Sequence, residues 1–280
     1  MIPVEFKYER ATSVDDAIAK LAAAGGKAIA GGHSLVPLMK LRLSEPGHLV
    51  DISKIAGLSG IRESGGRIEI GATTVHRDIA ASQLLRDQCP MIADAAAEIG
   101  DPQVRNRGTI GGSIAHADPA ADFPAVMLAL DADIQLKGTA GARTVKAASF
   151  FRGFYDVDLN AGELIVGVQF DPVRSAAYAK LHQRASHYAV VGVAAALDVK
   201  DGVIRSARIG LTGATTHAIR LTSVEQALVG KNAGGIAAAC ENAASDVADV
   251  NADIHASADY RKAMITVFAR RALEKAFARA

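Results

Sequence analysis

The sequence has little cysteine and almost no net charge. Its two cysteines, Cys89 and Cys240, stand far apart and outside any C-x-x-C pattern. That excludes a disulfide framework, a zinc ribbon and a self-ligated iron–sulfur cluster. Lys plus Arg number 31 against 30 Asp plus Glu, leaving +1. Such a balance offers no basic field for a polyanion and argues against nucleic acid as a partner. No apolar run approaches the ~18 residues of a spanning helix. The N-terminus, Met1-Ile2-Pro3-Val4-Glu5-Phe6-Lys7-Tyr8, has no basic region followed by an apolar stretch, so a signal peptide is not expected. A soluble, cytoplasmic chain is the expectation.

Several catalytic signatures are also missing. A nucleophile elbow needs G-x-S-x-G, and Gly32-His33-Ser34-Leu35-Val36 has Val36 where the second glycine belongs. There is no G-x-x-x-x-G-K-[ST] loop and no G-x-G-x-x-G after a strand. The eight histidines include no H-E-x-x-H pair, so a dedicated metal site is not expected.

What is present is apolar bulk and glycine. Half of the 280 residues are apolar, enough for two domains of roughly 100–200 residues each. Ser13, with Asp16 three residues on, opens a first helix whose apolar stripe is Val14, Ala17, Ile18 and Leu21. Gly25-Gly26 ends it. Residues 27–30 and 49–52 read as strands, so residues 1–55 form a small β-α-β-like lobe. Residues 67–73, 134–137 and 164–170 alternate like strands. A helix is expected at 90–99 with proline at its start, and another from Asp118-Pro119 to about Leu130, with Asp118 as N-cap. Beyond about residue 176 the pattern changes. Residues 190–200 and 203–212 flank Asp201-Gly202, a two-residue hairpin signal. Helices follow from about Ser223, from about Ala233 and from Ser257 to the end, the last with Tyr260, Met264, Val267 and Phe268 on one side. The expectation is an α+β chain: residues 1–175 as one domain in two α/β parts (about 1–55 and 56–175), and 176–280 as a smaller C-terminal α+β domain with a small antiparallel sheet and helices.

Two glycine-rich segments remain to be explained. Ala30-Gly31-Gly32-His33-Ser34 follows a strand directly, and Gly108-Thr109-Ile110-Gly111-Gly112-Ser113 repeats a Gly-Gly pair flanked by hydroxyls. One such pair is commonly a tight turn. Two of them can present consecutive backbone N–H groups to the two phosphates of a dinucleotide, with no side chain in the way.

Together with Asp118-Pro119-x-x-Asp122, Gly71-Ala72-x-Thr74 and the N-terminal Met1-Ile2-Pro3-x-x-Phe6-x-Tyr8, these loops resemble the FAD-binding medium subunit of molybdenum hydroxylases. The members in view are the xanthine dehydrogenase and aerobic carbon monoxide dehydrogenase type, and the resemblance covers essentially the whole chain. It implies a PCMH or vanillyl-alcohol-oxidase-like flavin domain of two α/β subdomains, followed by a smaller C-terminal domain. It assigns the FAD pyrophosphate to Ala30, Gly31, Gly32, His33, Ser34 and Leu35, and to Thr109, Gly111, Gly112 and Ser113. Asp122 matches an aspartate on the cofactor's ribose or adenine side; in a first helical turn an acid also favours the helix dipole. In residues 180–192, Tyr188 matches a tyrosine lying against the isoalloxazine ring, a flat face suited to aromatic stacking; the alternative is a core tyrosine in a strand. Ile165 matches an aliphatic contact near the ring, or core packing. His33 and His116 border the loops as polar neighbours, because binding in this subfamily is non-covalent.

The function implied is that of an electron-transfer subunit without an acid–base catalyst of its own. Its partners would be a large molybdopterin-binding subunit, a small iron–sulfur subunit and an external electron acceptor. His187 stands where family members carry an acid, and His182-Gln183 where they carry basic residues. Carbon monoxide, an aldehyde, a purine and another N-heterocycle all stay open as substrate of the molybdenum chain. Two other readings are a self-contained FAD-dependent oxidase or dehydrogenase, and a non-catalytic nucleotide-binding assembly module.

Overall fold

The computed structural model describes residues 2–280; Met1, first residue of the N-terminal motif, lies outside them. The chain builds three principal sheets in sequence order. In the first, Lys7–Arg10, His48–Asp51 and Lys27–Ile29 run parallel with His48–Asp51 in the middle. The helix Val14–Ala24 crosses between them, its N-cap Ser13 accepting from the Asp16 N–H at 3.0 Å and its C-cap Gly25 in the left-handed region at φ 60°. Asp16 in turn accepts from the Thr12 N–H at 2.8 Å. Ala17, Ile18 and Leu21 are buried, as their spacing implies. The edge strand Lys7–Arg10 escapes a pattern search because its Lys-Tyr-Glu-Arg side chains stay largely in solvent.

The second sheet is antiparallel, in the order Ile61–Ser64, Arg67–Gly71, Leu164–Phe170, Asp133–Gly138 and Gly141–Lys146. Between Arg67–Gly71 and Asp133–Gly138 the chain makes a run of helices, including Pro90–Glu98, Ile110–His116 and Asp122–Ala129. Here one expectation is corrected. The helix assigned to Asp118 begins at Asp122, with Ala121 as N-cap. Asp118 instead folds its carboxylate back onto the Ala120 N–H at 2.8 Å, an Asx turn that uses the segment before the helix starts.

The third sheet is antiparallel, in the order Ala176–His182, Ala189–Lys200, Val203–Thr212 and Ile219–Arg220. Asp201 and Gly202 both have positive φ, 55° and 72°, as a two-residue hairpin turn requires. This sheet is covered on both faces. Ala176, Tyr178, Ala194 and Ala196 join the core with the helices Pro90–Glu98 and Asp122–Ala129, whereas Ala177, Val191, Val193, Ala195 and Leu197 face the C-terminal helices. Double burial explains the continuous apolar run, which would alternate if one face met water. Small side chains bring the helix close: a Cβ on Gly210 would lie 2.1 Å from the Ala125 carbonyl oxygen.

The terminal helix Ala258–Phe277 buries Arg261, Ile265, Phe268, Ala269, Ala272, Leu273 and Ala276, and leaves Tyr260 half exposed. The buried stripe is thus rotated from the expected one. Alanines allow close packing, and Arg261 is drawn inside because its guanidinium donates to the carbonyls of Val190 and Gly213, both at 2.7 Å. The helix expected from Ala233 begins as a 3-10 turn, Ala233–Gly235, before Ile236–Cys240.

Candidate functional site

Between the first sheet, the helices of the second lobe and the 185–188 turn of the third lies a cavity of about 780 Å³. Its wall includes Ala30, Gly31, Gly32, His33, Ser34 and Leu35 from one loop, and Thr109, Gly111, Gly112, Ser113 and His116 from the other. Asp122, Ile165 and Tyr188 complete the set of sequence-predicted residues on the same wall. All fourteen are thereby brought to one cavity, from elements up to 158 positions apart in sequence.

The first loop leaves the strand Lys27–Ile29 and turns at Gly32, whose φ of 74° favours glycine. Gly31 has a different reason. A Cβ there would stand 2.2 Å from the Arg107 carbonyl oxygen, so the two glycine-bearing loops touch backbone to backbone. Among the described residues, no backbone or side-chain group accepts from the N–H groups of Gly31, Gly32, His33, Ser34 or Leu35. Ser34, N-cap of the short helix Leu35–Lys40, makes no side-chain cap bond. Gly31, Gly32, Ser34 and Leu35 are half-buried and His33 is exposed, so these backbone donors stand open beside the cavity. An open run of them beside a glycine-lined wall is suited to phosphate oxygens.

The second loop differs, and the expectation of a second row of open N–H groups is corrected. Ile110 N–H donates to the Thr74 carbonyl at 3.1 Å, Gly111 to Ala72 at 2.8 Å, Gly112 to the Thr109 hydroxyl at 3.2 Å, and Ser113 to the Thr109 carbonyl at 3.0 Å. Thr109 is the N-cap of the helix Ile110–His116, and its hydroxyl is spent on that cap. Gly111 is small because a Cβ would press on Ala72 at 2.6 Å. Gly112 is exposed toward the cavity, and a Cβ there meets only the Thr109 hydroxyl, at 2.9 Å. This loop supplies a wall without side chains and the Ser113 hydroxyl.

At the far end of the cavity Tyr188 is 43 % exposed, just before the strand Ala189–Lys200, and so is not a core tyrosine. Burial and the nearby charges of Asp118 and Asp122 push its hydroxyl above the usual range. Ile165 serves the cavity wall and the core together. His33 is exposed. His116 lies in the last turn of its helix, 4.9 Å from the Tyr155 ring, and burial lowers its pKa.

Asp122 is 4 % exposed, and its Oδ1 accepts from the Tyr178 hydroxyl at 2.5 Å and stands 2.9 Å from Lys180 Nζ. Burial pushes this carboxyl up, while Lys180 and Tyr178 oppose that. An interior carboxylate survives only with such partners. One oxygen of Asp122 therefore belongs to the third sheet rather than to a ligand.

Sequence reasoning missed Tyr178 and Lys180, which sit in an alanine-rich strand, and His76. His76 is 4 % exposed on the cavity wall, its Nδ1 has no partner among the described residues, and burial holds its pKa down at about 4. The motif Gly71-Ala72-x-Thr74 leads straight to it. Cys89 and Cys240 are buried free thiols, pushed up to about 12 and about 11.

The comparisons with known proteins bear on this geometry. Residues 4–172 match the family model described as the FAD binding domain in molybdopterin dehydrogenase, and residues 176–276 match the CO dehydrogenase flavoprotein C-terminal domain. The carbon monoxide dehydrogenase medium chain of Hydrogenophaga pseudoflava is 40% identical over 285 residues, covering 100% of this chain and 99% of that one. The 6-hydroxypseudooxynicotine dehydrogenase complex subunit alpha of Paenarthrobacter nicotinovorans is also 40% identical, covering 100% and 97%. A solved structure of carbon monoxide dehydrogenase from H. pseudoflava superposes with a TM-score of 0.95 at 41% identity over 100% of both chains. The open amides, the paired glycine loops and these matches agree: the chain belongs to the FAD-binding medium chains of the molybdenum hydroxylases, an oxidoreductase subunit whose cofactor is FAD.

Proposed function

We propose that this chain is the electron relay of a three-component molybdenum hydroxylase in the cytoplasm, between a small iron–sulfur subunit and an external acceptor. A large molybdopterin-binding subunit oxidises the substrate. Bound FAD supplies a centre able to exchange electrons singly with clusters and in pairs with an acceptor. The residues of this chain hold and tune that centre. The N–H groups of Gly31, Gly32, His33, Ser34 and Leu35 receive the pyrophosphate, and Thr109, Gly111, Gly112 and Ser113 form the opposite wall. Tyr188 and Ile165 bear on the isoalloxazine, where an aromatic face alters the ring's electronics more than its anchorage. His116 and Asp122 border the cavity and shape its field.

The observation that carries this reading is the run of unpartnered amides at 31–35, in backbone contact with the second glycine loop, in one cavity with a half-exposed tyrosine. The C-terminal sheet is buried on both faces, between the flavin-lobe helices and its own C-terminal helices, which supports a relay over a chain with its own substrate domain. The relatives' names span carbon monoxide and 6-hydroxypseudooxynicotine, which supports a substrate chosen in the partner chain.

Co-expression with the neighbouring chains tests the proposal. In the assembly, substrate should bleach the iron–sulfur absorbance whether or not this chain carries FAD, while acceptor reduction should require the FAD. The isolated flavin-loaded chain should turn over no small substrate. Turnover by the isolated chain would overturn the relay reading.

A further inference from the structure

The turn that carries Tyr188 is built from its own polar groups and then tied down by a residue outside it. Gln183 Oε1 accepts from the N–H groups of Ala185 and Ser186 at 2.7 and 2.5 Å, and Gln183 N–H donates to the Tyr188 carbonyl at 2.8 Å. His187 completes the turn in the left-handed region, φ 60°, a conformation that persists only where surroundings enforce it. Inside the turn the His187 N–H donates to the Gln183 carbonyl at 2.9 Å, and two contacts from outside it add to that. The His187 ring Nδ1 lies 2.9 Å from the Gly100 carbonyl oxygen, and the His187 carbonyl accepts from Lys180 Nζ at 2.8 Å.

Lys180 makes two further contacts. Its ammonium donates to the Glu98 carbonyl at 2.9 Å and stands 2.9 Å from Asp122 Oδ1. An ammonium has three hydrogens and no acceptor, so these three oxygens use it completely. The side chain has no solvent exposure and does not line the cavity. A cation so placed loses its hydration, and such a pair is poor evidence for stability by itself. What it does geometrically is join three segments: the end of the helix Pro90–Glu98, the first turn of the helix Asp122–Ala129, and the peptide bond between His187 and Tyr188. Fixing the oxygen of that planar bond fixes the plane from which Tyr188 departs.

We propose that Lys180 is the positioning residue for Tyr188. Through the His187 carbonyl it sets the tilt and height of the tyrosine ring over the cavity, with Asp122 as the anchor that holds the ammonium. This rests on the reading of Tyr188 as the residue against the isoalloxazine. The flavin's ring environment then depends on how the third sheet docks onto the flavin-binding helices, although Lys180 never touches the flavin.

The test compares three flavin-loaded full-length variants, Lys180→Met, Tyr188→Ala and the double variant, by absorbance, flavin fluorescence, midpoint potential and FAD affinity. Lys180→Met keeps the length of the side chain and removes all three donors. Its FAD affinity should stay within about threefold of the parent, while flavin fluorescence rises by at least half the rise seen in Tyr188→Ala. The double variant should match Tyr188→Ala alone, because a residue acting through another adds nothing once the other is gone. Should the unpaired Asp122 impair folding, Lys180→Met combined with Asp122→Asn, read against Asp122→Asn alone, carries the same expectation. A normal flavin spectrum and potential in Lys180→Met beside a shifted Tyr188→Ala would overturn the inference and leave the ring assignment standing. Additive effects in the double variant would overturn it too. No change in Tyr188→Ala would remove the ring assignment itself, and the inference with it.

Discussion

Two loops of this chain carry the same letters, Gly-Gly beside a hydroxyl, and use them for different ends. In the first, Gly31 lets two backbones meet, Gly32 turns the chain at φ 74°, and the amides that follow stay unpartnered. In the second, every N–H from Ile110 to Ser113 is already bonded inside the chain, and Gly111 is small because helix Ile110–His116 leans on Ala72. One loop is an open row of donors, the other a capped helix start that presents a bare wall. A glycine pair in a sequence therefore reports close approach. Which group approaches, a ligand or the chain's own backbone, depends on where the amides point.

The contrast can be broken by substitution, and the largest effect should come from the contact between the loops. Gly31→Ala places a methyl against the Arg107 carbonyl at 2.2 Å, where neither backbone can yield cheaply. FAD affinity should fall by about a thousandfold, some 4 kcal/mol, with the melting temperature falling as well. Gly112→Val, whose Cβ meets only a hydroxyl, should lower affinity through the lost space while sparing the fold. If equilibrium binding and melting curves gave both variants the same profile, the loops would not differ as described.

Behind the second loop, His76 backs Gly108 and is held neutral, chiefly by burial and then by its neighbours His33 and Arg105. Its pKa is about 4 in the fold against 6.5 for an ordinary histidine. Below 6.5 the unfolded chain gains a proton that the fold refuses, so stability falls as pH drops from 6.5 toward 4. The loss approaches about 3 kcal/mol. Denaturant titrations of flavin-free protein should show this slope, and His76→Gln should flatten it; an unchanged slope would place the titration elsewhere.

A smaller effect sharpens the role of Thr109. If its hydroxyl is a helix cap, Thr109→Ala should cost about 1 kcal/mol of stability, with little change in FAD affinity. Lost affinity at an unchanged melting temperature would make the hydroxyl a phosphate ligand.

How much of this was legible in the sequence follows the same division. Periodicity located Val14–Ala24 and the Asp201-Gly202 hairpin because each is fixed by local chemistry, a cap or a turn. The resemblance singles out Ala30 through Leu35, Thr109, Gly111, Gly112, Ser113, Ile165 and Tyr188, and all of them line one cavity. What stayed hidden is non-local. Lys7–Arg10 is a strand by its pairing with His48–Asp51, with no apolar face of its own. The bond between Asp122 and Lys180 joins positions 58 apart, and nothing in an alanine-rich strand signals a buried ammonium. The start of helix Asp122–Ala129 is not fixed by its local sequence, because an aspartate before proline serves a cap and an Asx turn equally well, and here Thr212 holds the turn from another sheet.

The most direct test is amide hydrogen exchange at near-residue resolution, on flavin-stripped and flavin-loaded protein. Open amides exchange freely and bonded ones do not. The N–H groups of residues 31–35 should exchange rapidly without FAD and become protected when it binds, while those of 110–113 should be protected in both states. Protection gained at 110–113 and none at 31–35 would contradict the account and move the pyrophosphate to the second loop.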